Sequence, residues 1–195
     1  MALVGWSLTR PSRKSVIMSR IPTPAAESAT GATAELFAQI KKAAGKVPNT
    51  FAAIGAHGPA ALKAMLQADA VLAAGTLSKQ DQETIKLAVS AAVGCDYCEA
   101  AHSLLGKLAG LKPDVMRRIR AGQPTGDAKR DALVRFVQVL VLTRGTVSEE
   151  EFLAIKDAGY TGAQLVEISL ALAVITFTNV FNRINDTTLD FPAAA

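Results

Sequence analysis

Cysteine is scarce in this sequence, with two in 195 residues, and tryptophan occurs once. Two cysteines cannot make the spread set of bridges that staples a secreted miniprotein. Standing only two residues apart, Cys95 and Cys98 instead suit catalysis or metal binding in a reducing compartment. Acidic side chains are missing altogether from residues 1–20, which hold Arg10, Arg13, Lys14 and Arg20. That stretch accounts for the whole formal net charge of +4 and leaves 17 basic against 17 acidic side chains elsewhere. The excess charge is an N-terminal feature and gives no ground for a nucleic-acid-binding surface. A membrane-spanning run is not evident either. The apolar stretch Ile168–Phe177 covers ten residues between the polar Gln164, Glu167 and Asn179, and crossing a bilayer takes about 20. The expectation is a soluble, cytoplasmic protein with no nucleic-acid or membrane partner.

Half of the residues are hydrophobic, and a domain of this size can remove roughly 70% of its unfolded surface from water, so a core without staples is available. The first twenty residues lack the apolar length and charge order of a secretory signal. Residues 21–33, rich in Pro, Ser, Thr and Ala, read as a linker. Residues 1–33 are therefore expected to be a disordered extension, with Met18 as the natural start, ahead of a single domain over 34–190.

From residue 34 onward Ala, Leu, Lys, Glu and Gln dominate, and no segment alternates with the period of a strand, so the fold class is all-α. Helices are expected at about 34–44, stopped by Gly45, and at about 51–56 after Pro48-Asn49-Thr50. Gly58-Pro59 opens a third, to Gly75, with proline in the first helical position. Ser78 and Asp81 frame the start of a helix over about 79–93, stopped by Gly94. The cysteine pair then opens a helix to about Ala109. Pro113–Ala121 and residues 127–143 follow, then a helix capped by Ser148 and Glu151 that ends at Gly159. Thr161 and Gln164 cap the last one, which reaches about residue 187.

Four residues carry chemistry: Glu83, Cys95, Cys98 and His102, spaced E-x11-C-x2-C-x3-H. Two thiols three apart at a helix start can exchange for a disulfide with little backbone change. A helix N-terminus and a neighbouring cysteine both lower a thiol's pKa. His102 follows Cys98 by four and shares its helical face. If the helices around Gly94 pack antiparallel, Glu83 lies about 16 Å and His102 about 12 Å from the turn, at 1.5 Å per residue. A carboxylate that orients an imidazole, which handles a thiol proton, is the logic of an activated nucleophile.

This pattern resembles the alkylhydroperoxidase D-type core of the carboxymuconolactone decarboxylase superfamily, whose signature is this glutamate, cysteine pair and histidine. Pro48-Asn49-Thr50-Phe51, the following Gly-Pro-Ala-Ala-Leu helix and Asn179, Asn182, Arg183, Ile184 and Asn185 agree with it, so the likeness spans roughly residues 35–186. The resemblance implies a helical bundle assembled as trimers or hexamers. It also implies reduction of hydroperoxides through the cysteine pair, with Glu83 and His102 as a proton relay and no metal or flavin cofactor. The disulfide would be reduced by a dithiol, either a lipoyl group or a thioredoxin-like protein. Tyr97 departs from the pattern, because a well-studied member has a histidine there.

Within the pair, the helix dipole favours Cys95 as the nucleophile. The aim of His102, and the resemblance, favour Cys98 as the peroxidatic thiol. Cys95 is then the resolving thiol, nearer the mouth. Zinc would find only three ligands in Cys95, Cys98 and His102, and a c-type haem needs histidine where Glu99 stands. Lactone decarboxylation does not need a cysteine pair. Two rivals remain: a dithiol-disulfide reductase serving a peroxiredoxin, and a non-catalytic oligomeric redox sensor. Tyr97 is expected as a pocket wall or interface anchor, and Asn179 and Asn182 as buried groups at the pocket or at a subunit contact.

Overall fold

The computed structural model describes residues 19–194, and among these every regular element is helical. After a short 3-10 turn, Ala26–Ser28, come α1 (Gly31–Ala44), α2 (Asn49–His57), α3 (Pro59–Ala73), α4 (Lys79–Val93) and α5 (Asp96–Leu108). They are followed by α6 (Pro113–Ala121), α7 (Ala128–Thr143), α8 (Glu149–Asp157) and α9 (Gly162–Asn185). The stop and start signals explain these limits. Ser78 and Ser148 accept hydrogen bonds from the amides three residues on, and Thr161 and Gln164 form a full capping box. The last helix stops two residues short of the expected limit, because Asp186 takes a left-handed conformation after Asn185.

The centre of the molecule is α4. Nine consecutive residues, Gln82 to Ser90, are buried, and the helix packs against α5, α6, α7 and α9. Ile85, Leu87, Leu133, Ile119 and Ile168 close to full burial form the core around it. Between α4 and α5 only Gly94 and Cys95 intervene. Gly94 sits at φ 68°, where a side chain would be strained, and the Cys95 amide bonds back to the Ser90 carbonyl. That tight reversal makes α4 and α5 antiparallel neighbours. A second tie lies nearer the surface: the Glu167 carboxylate of α9 accepts from the Thr76 and Leu77 amides in the loop before α4.

Part of the expected disordered extension is ordered on the body. Residues 19–33 pack on the body, while residues 1–18, with Met18, lie outside the described residues. Ser19 exchanges hydrogen bonds with Thr188, and the Arg20 and Ile21 amides donate to Asn185. The first helix also begins at Gly31, three residues earlier than composition suggested. A Pro/Ser/Thr-rich segment cannot build its own core, but its amides can still pair with a neighbouring segment. Beyond Asp186 the chain turns back as an extended strap that reaches α2. Asn49 Nδ2 donates to the Thr188 carbonyl, and Lys46 Nζ binds the Asp190 carboxylate at 2.8 Å.

The expectation of a short apolar run also needs adjustment. Helix α9 has 24 residues and is long and apolar enough, by length and composition alone, to cross a membrane. Here one face of it packs on α3, α4 and α5. On the other face Val166, Phe177, Val180 and Ile184 stand exposed. With Leu170 and Ala173 they recur at alternating steps of four and three, so they lie along one stripe.

Candidate active site

The reversal at Gly94 brings the four singled-out residues together. Glu83 comes from the second turn of α4 and His102 from the middle of α5, and His102 Nδ1 lies 2.8 Å from Glu83 Oε2. Against an ionised carboxylate that nitrogen must carry the proton, so Nδ1–H donates and Nε2 is the ring nitrogen left for other work. Burial raises the Glu83 carboxyl, but the facing His102, its hydrogen bond and the Lys86 ammonium outweigh it and hold the group below its ordinary 4.5. Lys86 in turn is paired with Asp69 of α3 at 3.0 Å. The charges that α4 carries into the interior therefore each meet a partner.

Cys95 is the residue before the first turn of α5 and Cys98 its third helical residue. Both are 2% exposed, both are free thiols, and their sulfurs lie 2.8 Å apart in a hydrogen bond. The two titrate as a pair. The hydrogen bond shared with Cys98 holds the Cys95 thiol below its ordinary value, against burial, which raises it. The same hydrogen bond, then burial, pushes Cys98 up, while Asn182 and Thr178 pull it down. The first proton lost thus leaves charge on Cys95, as the helix-dipole argument favoured, and Cys98 keeps the second.

Access points the other way. A cavity of about 530 Å³ opens beside the site, a size that fits a small organic molecule. Cys98 and His102 line it together, with apolar walls from Phe51, Met65, Leu105 and Val174. Cys95 is not among the lining residues, so it is not the thiol nearer the mouth, contrary to the expectation. The backbone reversal explains this: Cys95 is held into the turn by the Ser90 carbonyl, whereas Cys98 is carried one helical turn on, toward α9.

Residues outside the quartet complete the site. Asn182 of α9 donates from Nδ2 to Cys98 Sγ at 3.2 Å, and the Thr50 hydroxyl donates to Asn182 Oδ1. The Tyr97 hydroxyl accepts from the Thr50 amide at 3.2 Å and donates to Asp190 Oδ1 at 2.6 Å. Burial and then the Asp190 hydrogen bond raise the Tyr97 hydroxyl, so it acts as a neutral donor. The ring of Tyr97 meets Phe191 edge-on at 5.5 Å, which makes the expected pocket wall from the strap. Of the two asparagines, Asn182 faces the cysteines, while Asn179 lies against Ser90 of α4. No local pattern could have announced Thr50 or Asp190, since their partners lie 132 and 93 residues away. Among the described residues no group of three or more His, Cys, Asp and Glu side chains is placed to hold a metal ion.

Residues 59–134, which contain all four residues, match the family model described as the carboxymuconolactone decarboxylase family. No curated protein matches the chain. Among solved structures, an alkylhydroperoxidase AhpD core protein, an uncharacterized peroxidase-related protein from Ralstonia eutropha JMP134, superposes with a TM-score of 0.78. It is 23% identical over 90% of this chain and 94% of that one. A cysteine-to-alanine variant of the debrominase Bmp8, in complex with 2,3,4-tribromopyrrole, gives a TM-score of 0.74. It is 18% identical over 88% and 94%. An uncharacterized peroxidase-related protein from Silicibacter sp. TM1040 gives 0.71, at 18% identity over 93% and 94%.

The lowered Glu83 carboxyl has a consequence for stability. A group whose folded pKa lies below its unfolded value stabilises the fold above the unfolded pKa, and loses that effect as pH falls through the folded value. Glu83→Gln keeps a hydrogen-bond acceptor but removes the charge, so it should cost about 1 kcal/mol near pH 7. Urea unfolding should show that gap closing as the pH drops below 4.5, the carboxyl's ordinary value. A gap independent of pH would contradict this account of the pair.

Proposed function

We propose that the chain is a member of the carboxymuconolactone decarboxylase superfamily and a thiol peroxidase that reduces organic or hydrogen peroxides; the family match over residues 59–134 and the alkylhydroperoxidase D type of fold support this reading. The observation that carries this reading is the pairing of His102 with Glu83 at 2.8 Å beside a cavity whose wall also presents Cys98, itself 2.8 Å from Cys95.

The cycle uses these residues, the peroxide as oxidant and an external dithiol as reductant. A thiolate on Cys95 takes the Cys98 proton across the 2.8 Å contact, which leaves the charge on the thiol that faces the cavity. Cys98 sulfur then attacks the terminal peroxide oxygen; an S–O bond forms and the O–O bond breaks. The proton lost when the thiolate forms is held on His102 Nε2, while Nδ1–H stays on Glu83; the leaving alkoxide takes the Nε2 proton and departs as alcohol. Cys98 is now a sulfenic acid. Cys95 sulfur attacks it, the S–S bond forms, and hydroxide leaves as water after protonation. An external dithiol, a lipoyl group or a thioredoxin-like protein, returns the pair to thiols by exchange. In this scheme Cys98 is peroxidatic, Cys95 resolving, and His102 and Glu83 the proton relay.

Assembly is part of the proposal. The apolar stripe along α9, with Val166 71% and Ile184 58% exposed, is a continuous exposed apolar face of the kind that marks an interface. A second copy of the chain is proposed to cover it, in a homo-oligomer.

Two measurements follow. Cumene hydroperoxide should be consumed catalytically with dihydrolipoamide, and consumption should stop in Cys98→Ser. Reduction of a peroxiredoxin disulfide without peroxide turnover would favour the reductase instead, and neither activity would favour a redox sensor. In sedimentation at micromolar concentration the protein should run as an oligomer, and Val180→Glu should shift it toward smaller species. A stable monomer of the unaltered chain would contradict the assembly.

A further inference from the structure

The reaction scheme asks Cys98 to carry negative charge in a place where burial and its own hydrogen bond to Cys95 oppose it. Something else at the sulfur must favour the charged form. His102 lies on the cavity side, and its Nδ1 is committed to Glu83. From α9 the same cavity wall presents Asn182, which is 3% exposed and has both amide atoms engaged. Its Nδ2 donates to Cys98 Sγ at 3.2 Å and its Oδ1 accepts from the Thr50 hydroxyl.

We infer that Asn182 is the donor that stabilises the Cys98 thiolate, and that Thr50 is the positioning residue that keeps its amide nitrogen aimed at the sulfur. An amide side chain can turn over and present oxygen where nitrogen was, and oxygen would repel a thiolate, which only accepts hydrogen bonds. The Thr50 hydroxyl can donate or accept, but against a thiolate only the orientation with Nδ2 at the sulfur is attractive, and in it the hydroxyl donates to Oδ1 and holds the amide there. Thr50 is itself fixed. Its amide donates to the Tyr97 hydroxyl, which is anchored by Asp190, and the Asp190 carboxylate is held by Lys46 Nζ and the Asn49 amide. The chain of contacts therefore runs from the C-terminal strap, through the start of α2, to the sulfur. Burial strengthens the inner links, at Thr50, Asn182 and Cys98, while the Lys46–Asp190 end lies at the surface.

This inference rests on the reading of Cys98 as the nucleophile, but its test uses no peroxide. In the full chain carrying Cys95→Ser, Cys98 is the sole thiol, and its rate of alkylation by iodoacetamide against pH reports its thiolate. Adding Asn182→Leu should move that profile to higher pH by about one unit, the size expected of one hydrogen bond to a charged sulfur. Thr50→Val should move it in the same direction, whereas Thr50→Ser, which keeps the hydroxyl, should restore the original profile. A profile unmoved in Asn182→Leu, with native circular dichroism, would overturn the assignment. Should Asn182→Leu not fold, the Thr50 pair decides: equal profiles for Thr50→Val and Thr50→Ser would also overturn it. A shifted profile without peroxide turnover would keep this inference and discard the peroxidase.

Discussion

Gly94, at φ 68°, turns the chain from α4 into α5 with Cys95 as the only other intervening residue. Every other feature of the site depends on that reversal. It sets Glu83, eleven residues before the glycine, against His102, eight residues after it, so that the two meet at 2.8 Å. It places Cys95 at the mouth of the helix dipole and Cys98 a turn further, where α9 can reach its sulfur. Any residue with a side chain at position 94 would bear the strain of a left-handed backbone and loosen this alignment.

Helix α4 is buried along nine residues and still carries Glu83, Lys86, Gln82 and Ser90 into the interior. Each has an answer there: His102, Asp69, the Leu72 and Leu77 carbonyls, and the Lys86 carbonyl with Asn179. Breaking one side of a buried pair leaves the other uncompensated, which costs far more than a surface contact does. The chemistry and the packing of this helix are thus one arrangement. The fold alone does not decide what that arrangement does, since a debrominase shares it. The cysteine pair, the imidazole and the cavity carry the functional argument.

Most of the helical limits were legible because they are written locally, in Ser78 with Asp81, Thr161 with Gln164, and the glycines at 45 and 94. The quartet was legible for the same reason: Glu83, Cys95, Cys98 and His102 all lie within twenty residues, and helical geometry converts their spacing into position. What was not legible depends on distant contacts. Asn182 could be seen as buried, but not as a partner of Cys98 and Thr50. Residues 19–33 lack the composition of a core, which hid their pairing with the C-terminal strap. The cavity itself is walled by α9 and the strap, so which thiol lines it, Cys98 and not Cys95, depends on segments far away in sequence.

The central claim is that Cys98 takes the oxygen and Cys95 resolves it. The direct measurement is intact mass, with trapping of sulfenic acid, after one equivalent of hydroperoxide and no reductant. Cys95→Ser should gain a single oxygen on Cys98, and Cys98→Ser should keep its unoxidised mass. Oxygen on Cys95 in Cys98→Ser, with Cys98 left untouched in Cys95→Ser, would contradict the account.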